Sequence, residues 1–267
     1  MGRSTAGTDA CPAGMTCYPQ EQPEHTATIA SFRLDLYEVT VGRFRKFVDA
    51  YPGSMPAVGA GANPSVPGTG WDAAWASALA VDQKALMLAV KCDTTYQTWT
   101  DTVGANEQYA MNCVNWGDAF AFCAWDGGWL PTEAEWEKAS AGGDANRLYP
   151  WGSQDPSVNM VLANSIHSDR LPFIKVGSHP LGDGRWGHHD LGGGMWEWVF
   201  DSYEAAWYGG AGGVCTNCAN VMNAPSRVVR GGSWGSNATN LRAAYRNYFT
   251  LPNRIASDGI RCARRAP

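Results

Sequence analysis

Cys215-Thr-Asn-Cys218 sets two thiols at a spacing that suits a small bridge, a zinc knuckle or a redox couple. Zinc needs four ligands, and no second CxxC or neighbouring histidine pair stands beside this one. A redox CxxC usually opens a helix, whereas the segment that follows here, ANVMNAP, has no helical character. A structural bridge is expected, with the other two readings open. His188 and His189 precede Asp190, but successive side chains on extended backbone point to opposite sides, so they read as loop residues. DLGGGMWEW, residues 190–198, arranges two acids and two tryptophans around three glycines. It is either a core strand or a loop that presents oxygen atoms. Glu133, Glu135 and Glu137 share one short segment. There Glu135 is expected to cap a helix, with the other two facing solvent or bracing loops. GxSxG, HExxH and P-loop patterns are absent, so the usual serine-hydrolase, zinc-protease and nucleotide signatures do not apply.

The elements that must position these residues are few. FRLDLYEVT (32–40) alternates like a strand. Thr40 then caps a helix whose Val41, Phe44, Phe47 and Val48 share a face, and Pro52-Gly53 stops it. Residues 71–92 have helical composition and read as two short helices of an insertion. A second amphipathic helix is expected over Trp116–Trp125. In LPTEAEWEKASAGG, Thr132 and Glu135 form a capping box, and Gly142-Gly143 make a left-handed stop. Residues 144–230 show almost no periodicity. A loop that long in a folded domain needs pinning by metal, disulfides or aromatic packing. The C-terminal stretch reads as strand, loop, strand, loop, strand.

Composition narrows the function. Thirteen tryptophans and 31 glycines suit irregular, internally packed loops. A net charge of −5 with 17% charged residues argues against nucleic-acid binding. Arg254, Arg261, Arg264 and Arg265 near the C-terminus are expected to be solvated. No apolar run is long enough to span a membrane, and MGRSTAGTDACPAG lacks the regions of a secretory signal. Eight cysteines suggest disulfides and an oxidising, extracytoplasmic compartment.

FRLDLYEVTVGRFRKFV, NWGDAFAFCAWDGGWLPTEAEWEKASAGG, YPWG, DLGGGMWEWVFDSY and RVVRGGSW…GIRCAR resemble, in order, the formylglycine-generating enzyme (sulfatase-modifying factor) family. The resemblance implies an α+β, C-type-lectin-like architecture, one domain over 1–267 with little regular structure, in which 53–110 is a variable insertion. It implies a calcium site at Asp190, Gly193, Met195 and Glu197, combining side-chain and carbonyl oxygens. Calcium takes six to eight oxygens at roughly 2.3–2.6 Å, and glycines let carbonyls turn inward. Asn164, Ser165 and Asp169 fit the family's second calcium site poorly. The resemblance also implies a Cys123–Cys262 bridge. The other family bridge would fall at Ser140 and Ala243, where both cysteines are missing. The remaining six cysteines are expected to pair as Cys11–Cys17, Cys92–Cys113 and Cys215–Cys218.

Formylglycine generation in that family uses two cysteines after RGGS-aromatic to bind Cu(I), which prefers thiolates. Ser236 stands at the first position, and no cysteine lies between Cys218 and Cys262. The resemblance therefore implies a member without that activity. Trp196, Ser233 and Arg246 match residues of the family's cleft. Trp234, Ser236, Tyr245, Asn237, Tyr248 and Phe249 add rings and polar groups nearby, although each aromatic could instead be core. The expected function is a calcium-stabilised module binding a peptide, glycan or protein. The alternative is an oxygen-dependent oxidoreductase using the same cleft. Family sulfoxide synthases carry a helical iron-binding domain, and no such segment lies within these 267 residues.

Overall fold

The computed structural model describes residues 1–4 and 10–267. Its described helices are α1 (Val41–Asp49), α2 (Gln83–Ala89), α3 (Trp116–Trp125) and α4 (Glu133–Ala141), with short 3-10 turns between them. The strands are β1 (Ala27–Thr28), β2 (Phe32–Leu34), β3 (Trp196–Ser202), β4 (Cys215–Thr216), β5 (Ser226–Arg230), β6 (Asn247–Thr250), β7 (Asp258–Gly259) and β8 (Ala263–Arg265). This is a mixed α+β fold with little regular structure, as the family resemblance implies. The central sheet runs β6-β5-β3-β7, with β7 parallel to β3 and the other pairs antiparallel. Strands β2 and β8 pair antiparallel, and β1 pairs with β4. No described helix is long and apolar enough to cross a membrane.

The two best-signalled helices form as their residues dictate. Thr40 accepts the Arg43 N–H at the start of α1, which buries Val41, Phe44, Phe47 and Val48. At α4, the Thr132 hydroxyl accepts from Glu135 N–H while the Glu135 carboxylate accepts from Thr132 N–H, and Gly142 ends the helix at φ 71°. Helix α3 departs from the amphipathic expectation. Trp116 through Cys123 are all buried, because the insertion packs Trp71 and Trp75 against Trp116 and Phe120. The 71–92 segment does form two short helices, a 3-10 turn over Ala73–Ala78 and α2. The strand expected over 32–40 shortens to Phe32–Leu34.

Strand β3 explains why residues 144–230 look featureless. All seven of its residues are buried. Trp196, Trp198 and Phe200 enter the larger core with α1 and α3, while Val199 enters a second core with Trp136 and Val228. A strand covered on both faces loses the polar-apolar alternation that would reveal it. All four expected cystines are present: Cys11–Cys17, Cys92–Cys113, Cys123–Cys262 and Cys215–Cys218. The CTNC segment is thus a closed bridge. It pairs with the Ala27–Thr28 strand, and Asn217 Oδ1 accepts the Ala30 N–H.

Candidate functional site: an oxygen-lined loop beneath an aromatic cleft

The loop from Asp190 to Met195 turns sharply. Asp190, Gly193 and Gly194 all have positive φ (58°, 95° and 72°). At the two glycines a side chain is also excluded by space. A Cβ on Gly193 would lie 2.4 Å from the Asn164 carbonyl oxygen, and one on Gly194 would lie 2.8 Å from Glu38 Oε1. The tight approach brings oxygen atoms together. Glu38, Asp190, Asn164, Gly194 and Met195 line a small cavity of ≈ 10 Å³, room for about one water-sized occupant. Glu38 Oε1 accepts the Met195 N–H at 2.8 Å. Burial, with the nearby Asp190 and Glu197 charges, pushes the Glu38 carboxyl well above its ordinary range. Asn164 Nδ2 donates to the Leu171 carbonyl, while its buried Oδ1 has no partner.

The expected calcium ligands are only partly gathered. Asp190 and Met195 line the cavity, whereas Gly193 and Glu197 do not. The Glu197 carboxylate faces away from it. Arg261 donates to both oxygens, with Nη2–Oε1 at 2.7 Å, and Trp136 Nε1 donates to Oε2 at 2.6 Å. Sequence reasoning missed Glu38. Its signal was faint: an acid in YEVT, inside a stretch read as an ordinary strand. Among the described residues, no three His, Cys, Asp or Glu side chains form a metal-binding group. The oxygen set is nonetheless suited to a hard cation, with two carboxylates, an orphaned amide oxygen and neighbouring carbonyls, while Lys175 also lines the cavity and Asp190 Oδ2 accepts the Gly177 N–H. Asp169 lies elsewhere, 3.4 Å from His179 Nε2.

Above this loop opens a cleft of ≈ 440 Å³. Four of the six residues expected at a ligand face line it: Trp196, Ser233, Trp234 and Ser236. Asp93 and Tyr96 of the 53–110 segment line it too, with Ile255, Ala256 and Ser257. The Trp234 N–H donates to the Gly194 carbonyl at 2.7 Å, which couples the cleft wall to the oxygen-lined loop. The Ser233 N–H donates to Ser236 Oγ at 3.0 Å, so the serine at the first copper position closes a turn. All eight cysteines are in cystines, leaving no thiol at the cleft. Tyr245 stands behind Trp196, 5.9 Å between ring centroids.

Arg246 is absent from the cleft. It is fully buried, donates twice to Glu133 at 2.7 and 2.8 Å, and lies 4.4 Å over the Tyr208 ring. Glu133 and Glu137, expected at solvent or bracing loops, are both buried, Glu137 being paired with Arg230. The C-terminal arginines are likewise not simply solvated. Arg261 is buried on Glu197, Arg254 pairs with Asp118, and Arg264 pairs with Asp35 and Asp126. His188 is buried, which pushes its ring down to about 4 with help from Arg261. His189 stacks on Tyr37 at 4.5 Å.

Comparison with known proteins assigns this scaffold. The profile of the sulfatase-modifying factor enzyme 1-like domain matches residues 2–266. Hercynine oxygenase of Mycolicibacterium smegmatis is 29% identical over 91% of this chain, and the match spans 55% of that protein. The chain thus spans about half the length of that relative. Mouse inactive C-alpha-formylglycine-generating enzyme 2 is 29% identical over 98% of this chain and 83% of its own length. Among solved structures, PvdO from Pseudomonas aeruginosa superposes with a TM-score of 0.67 at 22% identity, covering 96% of this chain and 89% of that one.

Proposed function

Because the chain belongs to the sulfatase-modifying factor enzyme 1-like family, we propose that it is a ligand-binding member of that family without formylglycine-generating activity. The cleft formed by Trp196, Ser233, Trp234 and Ser236 receives a peptide, glycan or protein ligand. The observation that carries the reading is the state of the thiols. Ser236 occupies the first copper position, and every cysteine is held in a bridge. A hydroxyl does not replace a thiolate for Cu(I). Rigid aromatics beside small polar groups suit recognition. Four cystines favour an extracytoplasmic compartment.

Calcium belongs to the scaffold in this reading. Glu38, Asp190 and the Asn164 amide oxygen would hold it, with the Met195 carbonyl of the 190–195 loop; Gly193 shapes the turn without reaching the cavity. Glu197 serves the same loop indirectly, by anchoring Arg261 and Trp136. The ion would neutralise two carboxylates and fix the Gly194 carbonyl that receives Trp234. Replacing calcium by a chelator should lower the melting temperature by several degrees, and Glu38→Gln should remove most of that difference. An unchanged melting curve would refute the site.

The functional test is oxidation of a CxPxR thiol peptide with Cu(I) and oxygen. No aldehyde should form, and an aldehyde product would overturn the proposal. The similarity to hercynine oxygenase favours one alternative, an oxygen-dependent oxidoreductase using the same cleft. Stoichiometric iron in the purified protein would support that alternative instead.

A further inference from the structure

The cleft has one wall that the family motifs do not supply. Asp93 and Tyr96 come from the 53–110 segment, and both line the opening together with Ser233 and Ser236. This wall is firmly held. Cys92, next to Asp93, is bridged to Cys113. Asp93 Oδ1 accepts the N–H groups of Thr95 and Tyr96 at 2.8 and 2.9 Å, closing a tight turn. The Asn112 amide, itself buried, donates to the Tyr96 carbonyl at 2.8 Å and to the Ala256 carbonyl at 2.7 Å. One side chain therefore ties the 93–96 turn to Ala256, another lining residue of the cleft. Tyr96 packs on Trp234 with 5.0 Å between ring centroids at a 40° tilt, so the two form a continuous aromatic face.

The charge of this opening is one-sided. Asp93 is the only ionisable acid or base with a formal charge among the described lining residues, and no Lys, Arg or His joins it. Asp93 Oδ1 is taken up by the turn, whereas no hydrogen bond to Oδ2 occurs among the described residues. Nearby arginines are spent elsewhere: Arg254 on Asp118 and Arg242 on Glu21. Tyr96, Trp234 and Trp196 add electron-rich ring surfaces, which attract cations and repel anions. The chain's net charge of −5 gives the same sign to the long-range field.

Resting on the ligand-binding reading of the cleft, we infer that the insertion makes it selective for a cationic head group, an ammonium or guanidinium, seated between Asp93 and the Tyr96–Trp234 face. Ser233, Asn240 and Asn247 then offer neutral hydrogen-bonding groups to the rest of the ligand. An anionic ligand finds no counter-charge here. A neutral ligand leaves the Asp93 carboxylate without a partner better than water.

The test uses the full chain with its cystines intact and reads tryptophan fluorescence and titration calorimetry. The probes are tripeptides with a central lysine or arginine, and the same peptides with Nε-acetyl-lysine or citrulline, which keep the shape and remove the charge. The charged peptides should bind at least roughly 5-fold more tightly than the neutral ones, the size expected of a half-exposed ion pair with a cation–π contact. Added salt should shrink the gap. Asp93→Asn retains an oxygen for the Thr95 and Tyr96 N–H groups, so the turn persists while most of the charge preference disappears. Tetramethylammonium chloride separates the sources. If it displaces the peptides, the ligand is a free small cation as readily as a side chain; if not, the cation is recognised within a peptide. Equal binding of charged and neutral probes, or a preference unchanged in Asp93→Asn, would overturn the inference. A neutral glycan or peptide that quenches Trp234 while the charged probes do not would overturn it too, yet leave the binding function standing. Aldehyde formation from the thiol peptide would remove that function by a separate measurement.

Discussion

The layer beneath α4 and the cleft above the 190–195 loop use opposite materials. Under α4, Glu133 and Glu137 are buried against Arg246 and Arg230, whose guanidinium groups also lie over Tyr208 and Trp136. At the cleft, rings and hydroxyls line the opening, and Asp93 alone carries charge. The conspicuous ionic residues are architecture, and the inconspicuous ones border the open cleft. A buried acid-arginine pair at the end of a helix invites a catalytic reading. Here each pair is closed to solvent, and backbone carbonyls of Ala243, Ala244 and Tyr245 take up further Arg230 donors. Burying two charges gains little over an apolar pair, but removing one partner leaves the other stranded.

The contrast breaks most visibly at Arg246. Arg246→Ala leaves the Glu133 carboxylate beside Asp201 with only Arg230 Nε, 3.6 Å away, as counter-charge, and it should reduce stability by about 3 kcal/mol in denaturant unfolding. Trp234→Ala, on a half-buried ring at the cleft, should lose clearly less while altering ligand binding. If the two variants unfold at the same denaturant concentration, the division between an ionic frame and a lining face is wrong.

A pH dependence sharpens the ionic side. Asp201 Oδ2 accepts the Glu133 N–H and Oδ1 accepts the Asn220 N–H, each at 2.7 Å. Burial, followed by repulsion from Glu133, pushes its carboxyl up to about 7. The folded state thus favours the protonated acid. Its contribution is complete below the ordinary carboxylate range, where both states hold the proton. It fades as pH rises from about 4 to about 7, because the unfolded chain releases its proton first. Over that window the loss is on the order of a few kcal/mol. Asp201→Asn should flatten the fall, read as unfolding free energies at about pH 5 and about pH 8. A difference between the two proteins that does not change with pH would mean an ordinary, ionised Asp201.

Much of the frame was legible because local chemistry decided it. Thr40 and Thr132 cap helices through contacts within their own turns, and Gly142 stops α4 by its φ alone. The cystines were legible from family position for Cys123–Cys262 and from proximity in the chain for the rest. What stayed hidden depended on distant partners. Glu133 and Glu137 look solvent-facing until Arg230 and Arg246, about a hundred residues later, cover them. Arg246 looks like a cleft residue until Glu133 draws it inward. Glu38 belongs to the oxygen-lined loop only because the segment between β2 and α1 meets the 190–195 turn in space. The insertion looked peripheral, since nothing in its composition announces that Asn112 joins Tyr96 to Ala256. Strand β3 vanished from the pattern because both its faces are covered.

The smallest effect belongs to Ser236, which stands where the family resemblance calls for the first copper-binding cysteine. Ser236 is 6% exposed, and its hydroxyl accepts the Ser233 N–H and shares a second hydrogen bond with the Ser233 hydroxyl at 3.3 Å, both within its own turn. Ser236→Cys preserves shape and should change stability by less than about 1 kcal/mol. With every natural cysteine in a bridge, a thiol-reactive dye should then titrate a single new sulfhydryl. One thiolate at this position still lacks its partner, because the following segment up to Cys262 contains no cysteine. A soft monovalent copper ion would have one sulfur and neutral oxygens, a poor set for it. The variant should therefore gain a reactive thiol and no peptide-oxidising activity. If that single substitution restored aldehyde formation, the cleft would be a dormant oxidase missing one atom, and its aromatic wall would have to be reread as substrate-binding machinery.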